Sequence, residues 1–224
     1  MILGIGLRNY KVYKTQQYIP ISSGQRFSAF LGPNGIGKTS IFEALDRFFN
    51  GGEWIISNES KKSSDDSAYV SPLFLIPINE ISLNKKEKRL AALISSYFWE
   101  YSESPYDPLI GAVIDNRAAA TNAGYNKESH YFFMLGSIYQ TNEIKIPFFE
   151  NGIAKLFEQH SDVYFGDLSE LLKKIKSHYR FIYLPAEADS LSFSRMESIY
   201  IKNFSTKILR KKFKTQSAKI ALTK

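Results

Sequence analysis

The chain has 224 residues, 44% hydrophobic and 23% charged, which is apolar material for one sizeable core and excludes wholesale disorder. It contains no cysteine, so disulfides and thiolate metal sites are excluded, and none of its apolar runs is long enough to cross a bilayer. The formal charge of +7 is unevenly placed: from Ser198 onward there are eight basic residues and no acid, so the first 197 residues carry a net −1.

At the N-terminus, "MILGIGL" lacks the length and cleavage site of a signal peptide, and with the missing cysteines it reads as the start of a cytoplasmic protein. Leu3, Ile5 and Leu7 alternate with the period of a half-buried strand. "QYIPIS" reads as a second strand that Pro20 keeps at an edge, and "RFSAFLG" as a third strand running into a glycine cluster. From Thr39 the apolar positions Ile41, Phe42, Leu45, Phe48 and Phe49 mark one helix face, which Asn50-Gly51-Gly52 ends.

The polar stretch Ser57 to Ser67 reads as a loop. Asn84 is placed to cap a helix with the stripe Leu90, Leu93, Ile94, Tyr97, Phe98 and Tyr101, and Pro105 and Pro108 end that element. Ala118 to Ser129 looks like a surface loop, followed by two strands around a turn near Thr141-Asn142. "LSELLKKIKS" is a short amphipathic helix, "YRFIYLPAE" a buried strand ending at Pro185, and the basic run after Ser192 is helical in pattern. The fold class is α/β with an antiparallel annex.

Gly32-Pro33-Asn34-Gly35-Ile36-Gly37-Lys38-Thr39 fits G-x-x-x-x-G-K-[ST], the P-loop. Glycines let consecutive amides converge on phosphate oxygens, and the helix that follows offers unpaired N–H groups to the same anion. Lys38 would reach the β- and γ-phosphates, and the Thr39 hydroxyl would ligate Mg²⁺. The alternative is a glycine turn that merely joins a strand to a helix.

"LRNYKVYK" followed by "GPNGIGKTSIFEALDRFF" resembles the opening of ABC-type ATPase heads of the SMC, RecF and OLD branch. "FIYLPAEAD", Phe181 to Asp189, is similar to a strand and proline-acid turn that many bacterial members carry before a second lobe. The resemblance implies that Gly32 to Ser40 cradle the phosphates of ATP, that Thr39 holds Mg²⁺, and that Arg8 and Asn9 lie near the nucleotide. It also implies head-to-head dimers acting on a nucleic-acid or protein effector partner, in DNA repair or phage defence. The division it suggests is an N-terminal lobe over residues 1–197, with a helical insertion over about 53–130, then a basic segment over 198–224 leading to a second lobe.

Hydrolysis in such heads requires an acidic pair after an apolar strand and a Ser-Gly signature, and neither pattern occurs in this sequence. "LFLIPINE" ends in Asn79-Glu80 too soon after the P-loop, and "GAVIDN" offers Asp115 alone. Glu187 is the candidate for a residue touching Mg²⁺ and water, with Gln140 its rival, and each has an ordinary surface role as its alternative. A non-hydrolysing nucleotide sensor and a P-loop kinase remain as other readings of the motif. His130, His160 and His178 lack metal-ligand spacing. The basic tail suits phosphate backbones, or is a solvated helix face.

Overall fold

A computed structural model describes residues 1–57, 67–102, 106–160 and 162–184. The expected helix after Ser192 and most of the polar loop at Ser57 to Ser67 fall outside these residues.

The fold is mixed α/β around one antiparallel sheet. β1 (Ile2–Arg8) lies between β2 (Gln17–Pro20) and β3 (Tyr69–Pro77). The far edge of β3 is shared by β4 (His130–Met134) and β5 (Gly136–Ile138), and β6 (Ile144–Lys145) closes the order. α1 (Lys38–Asn50), α2 (Lys85–Glu100), α3 (Pro108–Asn122), α4 (Glu150–Gln159) and α5 (Leu168–His178) complete the elements. The stretch 53–130, expected as a helical insertion, supplies the central strand β3 as well as α2 and α3. Among the described residues no helix is long and apolar enough to cross a membrane.

β1 is buried on both faces, not one. Its odd residues Leu3, Ile5 and Leu7 share the side of Val70 and Phe74, and α1 covers that side, with Phe48 and Phe49 about the Phe74 ring. Its glycines face the other way and are covered by large side chains: Tyr18 lies over Gly4, and Met134, Pro147 and Phe148 over Gly6. The Tyr18 hydroxyl then donates to Asn116 of α3 at 2.7 Å, and Asn116 donates to the Ser22 carbonyl at 2.7 Å, so this buried polar pair is satisfied.

Pro72 sits inside β3, where it removes a ladder donor. The neighbouring ladder adapts at that point: Leu135 donates to the Pro72 carbonyl at 3.2 Å, β4 ends before it and β5 starts after it. Gly136 follows because a Cβ there would lie 2.2 Å from the Val70 carbonyl oxygen.

The helices form largely where the apolar spacing puts them. Burying a side chain such as Phe48 contributes about 2 kcal/mol, several times what a surface pair along a helix adds, so the stripe sets α1. At α2, Asn84 accepts from the Glu87 amide at 2.9 Å while its own amide donates to the Glu87 carboxylate at 2.7 Å, a complete capping box.

Three expectations need correction. Pro108 does not end an element but opens α3 at its first position, behind the Asp107 cap, where its fixed φ suits a helix start. Ala118 to Asn122 are the last turns of α3, because alanine favours helix even without an amphipathic stripe. Arg26 to Gly32 and Tyr179 to Leu184 have no ladder partner among the described residues and are not strands. Ring packing anchors them instead, Phe30 on Phe42 at 5.4 Å in the first and both Tyr179 on Phe74 and Phe181 on Phe49, each at 5.5 Å, in the second, while Phe27, Leu31, Ile182 and Leu184 are exposed.

Asn84→Ala should lower stability by about 1 kcal/mol, read as a lower thermal midpoint, because it removes the side-chain acceptor of the Glu87 amide while leaving the backbone half of the box in place. Asn84→Asp should keep the midpoint, and equal loss in both variants would show that the cap is not what holds the start of α2.

Candidate functional site

The glycine cluster forms a loop that ends on the first residue of α1. Gly35 and Gly37 have φ of 84° and 98°, and Gly32 has 150°, while Asn34 and Ile36 between them keep negative φ. That alternation of sign turns successive amides toward one concavity, the backbone form that holds anions. The start of α1 adds to it. Gly37 is the N-cap, no side chain caps the helix, and its first turn holds no acid, so its free amides and positive dipole end meet no competing carboxylate.

Lys38 is half-buried, and its ammonium donates to the Gly32 carbonyl at 2.6 Å and the Pro33 carbonyl at 2.5 Å. The charge is thereby held over the loop itself, within reach of any anion the amides take. Thr39 is exposed and Ser40 buried, so of the two hydroxyl residues Thr39 is the one open to a metal or solvent. The residues present thus fit a nucleotide's phosphate chain.

A tight turn buttresses this loop, and it is the part that the sequence reading passed over. Tyr10 and Tyr13 exchange backbone hydrogen bonds of 3.1 and 2.9 Å around Lys11, whose φ is 49°. The Tyr13 hydroxyl donates to the Gly37 carbonyl at 3.1 Å. A Cβ on Gly37 would fall 2.6 Å from Val12 and 2.8 Å from the Tyr13 hydroxyl. Lys11 pairs with Glu43 on α1, so the turn is tied to both the loop and the helix. Burial, with the Glu43 carboxylate nearby, pushes the Tyr10 phenol up to about 12, so it stays neutral in this packing. The signal was present in "NYKVYK": two tyrosines three apart bracketing a lysine, directly after the strand.

Arg8 and Asn9 stand at the end of β1, just before that turn. Arg8 donates to the Ser67 carbonyl at 3.3 Å and lies 5.9 Å from the Tyr69 ring centre, while buried Asn9, at φ 56°, accepts from the Ser57 amide at 3.2 Å. These contacts tie the start of β3 and the chain after α1 to the strand end, and Tyr10 to Tyr13 are what meets Gly37.

The candidate acids and amides are scattered. Glu80 follows β3 in a turn, Asp115 is exposed on α3, and Glu187 lies outside the described residues. Gln140, at φ 68°, lines a cleft with Arg47 and Asn50, at the opposite end of α1 from the loop. Among the described residues no group of three His, Asp or Glu side chains is arranged to hold a metal ion.

A family model described as an AAA ATPase domain matches residues 1–223. The chain belongs to that family. The curated proteins and the solved structures contain no match to it. Membership of the AAA ATPase domain family carries ATP binding and the P-loop NTPase fold with it, in agreement with the loop, the helix start and Lys38 as found here. The finer resemblance to SMC, RecF and OLD heads is a separate matter.

Gly37→Ala should weaken ATP binding at least tenfold, because a positive φ and a clash with Val12 together cost on the order of 1–3 kcal/mol at the loop. Titration of the variant with ATP measures this, and an unchanged affinity would mean that the loop shape described here is not what binds.

Proposed function

We propose that this chain is the nucleotide-binding part of an SMC/RecF/OLD-like head that takes ATP with Mg²⁺ and closes on a second head. The observation that carries the reading is the loop of alternating φ that opens onto an uncapped helix start with Lys38 held across it. Gly32 to Ser40 would bind the phosphate chain through backbone amides, and Lys38 would exchange its two carbonyl partners for phosphate oxygens. Mg²⁺, when bound, screens the phosphate charge and polarises the terminal phosphoryl group. Thr39 would hold that ion through its hydroxyl, and Tyr13 and the Lys11–Glu43 pair would keep the loop from yielding as charge accumulates on it.

The reading assigns the acidic pair and the signature residues to another lobe. Phe27 and Leu31, 83% and 91% exposed on the segment leading into the loop, support an additional surface docking there. Closure of two heads would act on a nucleic-acid or protein effector partner in DNA repair or phage defence, a proposal that rests on the resemblance of the first fifty or so residues and on the basic residues after Ser198.

The deciding experiment is ATP binding and turnover by the 224-residue chain beside Lys38→Ala. Binding without turnover, weakened at least tenfold in the variant, is expected, because the lysine supplies charge-assisted bonds to the phosphates. Unchanged affinity in the variant overturns the assignment, and lysine-dependent turnover places a catalytic acid within this chain. For the partner, changing Arg210, Lys211 and Lys212 to Gln should weaken DNA binding and reduce its salt slope by up to about 3. If neither moves, the basic run is a solvated face.

A further inference from the structure

The cleft at the C-terminal end of α1 plays no part in the reading above. It encloses about 500 Å³, the size of a small-molecule site, and Arg47, Trp54, Tyr139, Gln140, Asn142 and Lys176 are among its walls. Its lining holds two cations and no carboxylate. Lys176 reaches in from α5 with its ammonium 4.0 Å from the Phe48 ring centre, and no described carboxylate pairs with it. Burial lowers its pKa, the mark of a charge short of a counter-ion. Arg47 lies against Gly52, where a Cβ would come 3.0 Å from its Nη1, and its only described carboxylate is Asp46 at 3.5 Å, one residue back on the same helix.

The end of α1 opposes an anion here with about half a negative charge and Asp46 offsets part of Arg47, but Lys176 adds a second cation with no carboxylate in the lining, so the balance stays positive. One wall is flat and apolar: the Trp54 and Tyr139 rings stack at 5.2 Å with 21° between their planes, and Tyr10 braces Trp54 edge-on at 6.1 Å. Beside them, Gln140 and Asn142 hold left-handed backbone, φ 68° and 56°, on the turn between β5 and β6. Their amide side chains bring both donors and acceptors to the rim.

We propose that this cleft binds one nucleotide unit, its phosphate between Arg47 and Lys176 and its base against the Trp54–Tyr139 wall, with Gln140 and Asn142 reading the base edge. The chemistry is that of a single phosphate joined to a heteroaromatic ring, and it comes either from a free nucleotide or from one residue of a single strand. The site is separate from the P-loop, since the 13 residues of α1 place it about 20 Å away.

The test uses AMP, whose single phosphate gives the P-loop lysine little to hold, and the full chain carrying Lys38→Ala. Titration calorimetry should show saturable binding with a Kd below about 1 mM, weakened at least tenfold by Arg47→Gln and again by Lys176→Gln. Tyr139→Leu should weaken AMP but leave inorganic phosphate unchanged, which separates the ring contact from the charges, and the melting curve of each variant confirms that it is folded. Displacement of AMP by a short oligothymidylate assigns the site to a strand, and its failure to displace assigns it to the free nucleotide. No saturation with AMP, affinity unmoved by both cation variants, or inorganic phosphate binding as well as AMP would each overturn the proposal. ATP binding that depends on Lys38 can stand in any of these cases, so the two sites fail independently.

Discussion

The seating of α1 on the sheet fixes both ends of the molecule's binding chemistry. Ile41, Ala44, Leu45 and Phe48 are buried against the face made by Leu3, Ile5, Leu7 and Phe74, and these side chains set the direction in which the helix axis points. The loop presents amides only where that axis begins, because Gly37 is at once the last residue of the loop and the cap of the helix. A shift of the stripe by one turn would move the anion site by about 5 Å, more than any hydrogen bond tolerates. The hydrophobic packing is therefore what gives the loop a place, while the glycines only give it a shape.

The turn Tyr10 to Tyr13 resolves a tension in that arrangement. A glycine loop is the most entropically free part of a chain, yet phosphate binding requires it to wait in one form. The Tyr13 bond to the Gly37 carbonyl, the contact of Val12 with Gly37 and the Lys11–Glu43 pair hold the loop at its hinge without touching its concave side. The strand that supplies the turn is β1, so the buttress and the helix seat are parts of one packed unit.

Much of this was legible in the sequence, for reasons that differ by element. The P-loop declares itself because its chemistry needs particular residue types at fixed spacing, and α1, α2 and α5 because their stripes keep the helical period. α3 is hidden because alanine carries propensity but no stripe, and Pro108 reads as a stop because the proline at a helix start and the proline after a helix end look alike in sequence. Arg26 to Gly32 and Tyr179 to Leu184 have the composition of strands, but a strand is a pairing, and composition does not reveal the partner. The Tyr10 to Tyr13 buttress was in view yet unassigned, since a contact between residues more than twenty apart leaves no local pattern. The same holds for the cleft between Arg47 and Lys176.

The position of β3 at the centre of the sheet bears on how the chain is made. β1 pairs with β3, and β3 with β4, across roughly 60 residues in each case, so most of the ladder closes long loops and is slow to form. During synthesis β1 leaves the ribosome with Leu3, Ile5 and Leu7 and must wait until Pro77 has been added before its main partner exists. Over that interval β2 can take one edge of β1, but the edge that β3 will occupy stands open to pair with whatever it meets. The small hairpin at the start of the chain therefore halves the exposed edges of the nascent strand and leaves bare the one that becomes the middle of the finished sheet.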